Sequence, residues 1–127
     1  MSPKVTFTIC SAITFLFSAS AYVAPEFFTK MAFPAAEGLA LDVGISMRYF
    51  MAAAIFVVCC LFFQARNLVR ESDQMHILLG GAVGFTIVVA TILYVTLVRG
   101  VEATIPSIIG TGLVTVLMWF SWAKIKS

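Results

Sequence analysis

Four long runs of apolar residues, separated by short polar stretches, dominate the chain. They cover approximately Val5 to Ala24, Arg48 to Ala65, Ile77 to Val98 and Ile105 to Ala123, and charged residues stand only at their edges. A hydrocarbon layer of about 30 Å takes roughly 20 mostly apolar residues as a helix. In lipid only helices or closed barrels pair every backbone amide and carbonyl, so runs this long and uniform predict four transmembrane helices. The punctuation agrees. Ser46 can cap the second helix, Ser72 or Asp73 the third, and Thr104 followed by Pro106 suits the first turn of the fourth.

The first run also imitates a secretory signal, with Lys4 before an apolar stretch from Val5 to Phe17 and an Ala19-Ser20-Ala21 tripeptide after it. Cleavage there would leave three spans; we read the run as the first of four. The one long connection, from Pro25 to about Met47, mixes Phe27, Phe28, Met31 and Phe33 with Glu26, Lys30 and Glu37. Such a mixture predicts a short helix lying in the membrane interface with its aromatic side toward the acyl chains. Pro34 should end that helix, and Leu39 to Ile45 should bring the chain back to the membrane with the freedom of Gly38 and Gly44.

Four spans put Lys4, Arg66, Arg70, Lys124 and Lys126 on one side of the membrane. Lys30, Arg48 and Arg99 fall on the other, among Glu26, Glu37, Asp42 and Glu102. The excess of positive charge predicts that both termini are cytoplasmic. Aromatic residues mark the same two levels: Tyr22, Tyr49 and Tyr94 near the outer surface, Trp119 and Trp122 near the inner one, where their polar atoms can meet headgroups.

Composition narrows the class further. Of 127 residues, 61% are hydrophobic and 11% charged, against about 25% charged in soluble domains, and the mean hydropathy is +1.05. One transmembrane domain, residues 1–127, therefore accounts for the chain, with no separate soluble domain. A net charge of +2 without a basic stripe argues against nucleic acid as a partner. Cys10, Cys59 and Cys60 lie inside apolar runs, offer neither a disulfide framework nor a CxxC pair, and read as small buried hydrophobes.

Chemistry is sparse. Membrane enzymes and transporters keep ionisable groups within their spans because function needs them there, and this chain has none at mid-membrane depth. That disfavours proton-coupled exporters, which depend on an intramembrane carboxylate. His76 is the only histidine and stands at the inner start of the third span, so bis-histidine haem ligation within one chain is impossible. No HExxH, paired carboxylate, nucleophile elbow or glycine-rich phosphate loop occurs, and no catalytic residue, metal site or cofactor is expected. Arg48 opens the second span beside Tyr49. It can snorkel to the surface, or hold an anionic headgroup, a ligand or a partner's carboxylate. Arg99 and Glu102 form a candidate surface pair.

The steric pattern is stronger. Gly80 and Gly84 make a GxxxG pair with Gly81 adjoining, Ser107, Thr111 and Thr115 recur every fourth residue on the fourth span, and Thr6, Cys10, Thr14 and Ser18 do so on the first. Small stripes let helices approach closely, either within the bundle or against a partner subunit.

Pro25 with Phe28 after the first span, the Ala32-Phe33-Pro34 turn, and Met47-Arg48-Tyr49-Phe50 leading into an alanine-rich helix carry a resemblance. The layout resembles small bacterial four-helix membrane proteins of the DoxX-like and related uncharacterised families. That resemblance implies a four-helix fold in a bacterial inner membrane and transfers no catalytic residues.

The expectation is an all-α integral membrane four-helix bundle with a short interfacial helix in its first outer loop. Its role would be that of a non-enzymatic subunit among membrane lipids, packing against other membrane subunits or copies of itself. A small dimeric transporter or channel, with Thr6, Thr14, Thr111 and Thr115 lining a path, is the second reading. A membrane enzyme or a quinone- or haem-binding subunit using Arg48 or His76 is the third.

Overall fold

A computed structural model describes residues 1–101 and 105–127. It contains α1 (Pro3–Val23), α2 (Pro25–Ala32), α3 (Leu39–Ala65), α4 (Glu71–Leu97) and α5 (Ile105–Lys126), and no strand among the described residues. All but α2 are long and apolar enough to cross a membrane.

Local chemistry sets most boundaries. Ser2 caps α1 by accepting from the Val5 amide, and Pro3 sits at the first helical position, where its missing N–H costs nothing. Pro25 opens α2 in the same way, and α2 ends at Ala32 because Pro34 disfavours helical geometry in the residue before it. Gly38, with φ of 56°, takes the left-handed turn that leads into α3.

The second span starts nine residues before its expected position at Arg48. Residues 39–45, expected as a returning loop, form the first turns of α3, and Ser46 caps nothing: its hydroxyl donates to the Asp42 carbonyl at 2.9 Å. The acidic Asp42 belongs in that first turn, facing the positive end of the helix dipole. Similarly, α4 begins at Glu71, with Ser72 and Asp73 inside the helix and Arg70 at the cap position. Thr104, expected to cap α5, lies outside the described residues.

The helices pack in the order α3, α1, α5, α4, so α1 is central and the backbones of α3 and α4 stay apart. The stripe Thr6, Cys10, Thr14 and Ser18, joined by Phe7 and Ser11, is buried against these neighbours. The Ser18 hydroxyl donates to the Ala52 carbonyl at 2.8 Å. One α-turn pair further along, the Ser11 hydroxyl donates to the Cys59 carbonyl at 3.2 Å while the Cys59 thiol donates back to Ser11 O at 3.3 Å. In the half of the bundle that carries both termini, Phe62 lies 6.3 Å from Phe7 and 5.9 Å from Phe85, bridging α1, α3 and α4 over Leu78, Ala82, Val114 and Met118.

Between α1 and α5, the Phe17 ring occupies the space a side chain at Gly110 would need. Gly110→Ala is therefore expected to destabilise the protein by about 1–3 kcal/mol through overpacking. Gly112, with nothing near it, should accept alanine without loss, because alanine is the better helix former. Thermal melts in detergent compare the two, and equal melting temperatures would contradict the assigned contact. Ser18→Ala should cost about 1 kcal/mol by the same assay, the order measured for hydrogen bonds between helices in lipid.

Candidate functional site

Arg48 is the charged residue that the fold draws inward. The Ser18–Ala52 hydrogen bond and the Tyr22–Tyr49 ring pair, 6.1 Å apart, place Arg48 level with the last turn of α1. The 21 residues of α1 rise about 30 Å, which matches the hydrocarbon thickness. Arg48 thus stands at the edge of that layer, at the end of the bundle remote from the termini, while the first turns of α3 project beyond it.

At that end α2 folds across α3. Thr29 is buried against Gly44, where any β-carbon would overlap the Thr29 methyl group. Gly44 thus serves by lacking a side chain inside a helix; the loop freedom expected of it is not used. Arg48 Nη2 donates to the Phe28 carbonyl at 3.2 Å and fastens α2 to α3 from below. No described carboxylate pairs with Arg48. The ion pair on α2, Lys30 to Glu26 at 2.9 Å, lies on its exposed side, and Asp42 is exposed on another face of α3.

Because α3 and α4 are bridged at Phe62 and Phe85 and diverge toward α2, a cleft of about 1300 Å³ opens between them. Its walls are mainly apolar, with Val43 and Met47 on α3 and Ile92 and Val95 on α4. Arg48, Met51 and Ser107 form its floor and are shared with a pocket of about 50 Å³ beneath, bounded by Phe17, Phe28 and Ile55.

The other residues singled out in the sequence are dispersed. Gly81 meets the Met118 side chain, its missing β-carbon 3.2 Å from Sδ, whereas Gly80 and Gly84 have nothing within 4 Å and lie on the exposed face of α4. Thr111 and Thr115 are half-buried on α5, and their hydroxyls donate to Ser107 O at 2.6 Å and Thr111 O at 2.7 Å, along their own helix. The Thr6 hydroxyl donates to the carbonyl of the cap residue Ser2 and that of Thr14 to Cys10 O within α1, and none of these four threonines lines the cleft or the pocket beneath. His76 is exposed near the start of α4, at the opposite end of the bundle from Arg48. Trp119, expected to reach headgroups, donates instead to Thr86 Oγ1 at 2.9 Å and ties α4 to α5. Lys126 covers Trp122 at 4.9 Å. Cys10 and Cys59 are buried, Cys60 is exposed, and Glu102 of the candidate Arg99 pair lies outside the described residues.

Sequence reasoning missed Thr29, Gly44 and Gly110 as contact points. The two glycines gave only the weak signal of a glycine in an apolar run, and Thr29 gave none. Compared with family models, curated proteins and solved structures, the chain matches none of them, so its site is defined by its own geometry.

Proposed function

We propose that this chain is a non-enzymatic membrane subunit that associates with a second copy of itself through the outward face of α4. The reading rests on the open positions at Gly80 and Gly84. Helices in lipid gain little by hiding apolar side chains from one another, and small residues that allow close backbone approach drive their association. Each glycine inside a helix costs about 1 kcal/mol relative to alanine. Gly44, Gly81 and Gly110 offset that cost with contacts inside the bundle, to Thr29, Met118 and Phe17. Gly80 and Gly84, one turn apart on the helix with the least buried apolar window, have no such return among the described residues. The groups most suited to chemistry, Arg48 and His76, stand at opposite ends of the bundle, which supports a role without catalysis.

The setting we propose is a bacterial inner membrane with both termini cytoplasmic. It is supported by the positive charges of Lys4, Arg66, Arg70, Lys124 and Lys126 at the end of the bundle that carries both termini.

Energy transfer between two fluorescently labelled populations, reconstituted together in liposomes at high dilution, tests the interface. The native chain should show transfer that a Gly80→Leu, Gly84→Leu double variant loses by at least about tenfold in association constant, the equivalent of about 1.4 kcal/mol. Its helical circular dichroism should be unchanged, because neither side chain enters the bundle. Equal transfer in both proteins, or none in either, would refute self-association through this face. A different subunit comigrating in stoichiometric amount would replace the second copy as the partner.

A further inference from the structure

We propose that the cleft between α2, α3 and α4 binds a long-chain anionic amphiphile, whose headgroup is held by Arg48 and whose chain lies against the apolar walls. The described lining comes from one chain, but Thr91 and Val95 share the stripe of α4 that carries Gly80 and Gly84, so binding is read on the monomer, apart from self-association.

Three observations converge on it. The first is size and lining: about 1300 Å³, walled by Val43, Met47, Ile92 and Val95, exceeds the roughly 300–1,000 Å³ of drug-sized sites and suits a flexible chain. The second is charge. Arg48 is half-buried at the floor and, among the described residues, has one hydrogen bond, to Phe28 O, and no carboxylate partner. A guanidinium carries five N–H donors in a planar fork that matches a phosphate or a carboxylate, so most of its donor capacity is uncommitted. The third is depth. The cleft straddles the level where α1 ends, which is where an amphiphile changes from headgroup to chain.

A snorkelling arginine would extend into open water. This one turns inward, beneath α2, and lines both the cleft and the smaller pocket. A neutral amphiphile would gain little from it, and an apolar molecule would leave the cation unpaired. The shared chemistry is therefore an anionic head on a long chain, supplied either by a phospholipid or by a free fatty acid.

Native mass spectrometry of the detergent-purified protein, titrated in turn with dioleoylphosphatidylglycerol, oleate and dioleoylphosphatidylcholine, tests the assignment. Binding to at least one anionic ligand should be about tenfold tighter than to phosphatidylcholine, and which of the two binds identifies the source. Arg48→Gln should erase that preference. Val95→Trp, which narrows the cleft without touching the cation, should weaken binding of the anionic ligand, and it decides the matter should Arg48→Gln not fold. Equal affinity for all three ligands, an unchanged preference in Arg48→Gln, or undiminished binding in Val95→Trp would overturn the proposal.

Discussion

The contact between α1 and α3 is the constraint on which the remaining architecture depends. Two helices in lipid are not pushed together by water, so their association rests on close packing and on polar groups that find partners across the contact. Ser18 and Ser11 supply both. Each is small enough to bring the helices together, and each gives its hydroxyl to a carbonyl of α3, at Ala52 and Cys59. Two such bonds two turns apart along α1 fix the stagger of the pair. That stagger puts Tyr22 beside Tyr49 and brings Arg48 to the level at which α1 ends.

With α1 committed to α3 on one side, its other side receives α5, and the absence of a side chain at Gly110 makes room for the Phe17 ring. Helix α4 then has only α5 to lie along, held by Gly81 against Met118 and by Trp119 to Thr86. A square bundle would close α3 onto α4. Here one aromatic bridge, Phe62 to Phe85, joins them in the half with the termini, and the other half remains open. The cleft is thus a consequence of the order in which small residues pair the helices.

Much of the fold was legible because its signals are local: the four spans follow from apolar run length, the short helix from aromatic residues mixed with charges, and its end from Pro34. The stripe of α1 was legible too, since Thr6, Cys10, Thr14 and Ser18 repeat every fourth residue and all four are buried. The start of α3 was not. Asp42, Gly44 and Ser46 are residues that loops favour, yet Asp42 suits a helix N-terminus, Gly44 is needed against Thr29, and Ser46 bonds back to its own helix. The same residue types serve both structures, and only the contact with α2 separates them. The glycine pair on α4 was visible as a motif, but its direction was not, because an almost uniformly apolar helix has no polar face to say which side turns inward.

Arg48 illustrates how position changes the meaning of a residue whose chemistry is fixed. In the sequence it reads as the first residue of a span, where arginine ends an apolar run and reaches for water. In the fold it lies nine residues inside α3, and α2 closes over it, taking one donor with the Phe28 carbonyl. A single carbonyl is worth less than a full anion, and the described acids of this end, Glu26, Glu37 and Asp42, are exposed and form no ion pair with Arg48. Among the described residues the charge is held in place without being neutralised, which leaves the floor of the cleft with a cation complementary to an anionic ligand.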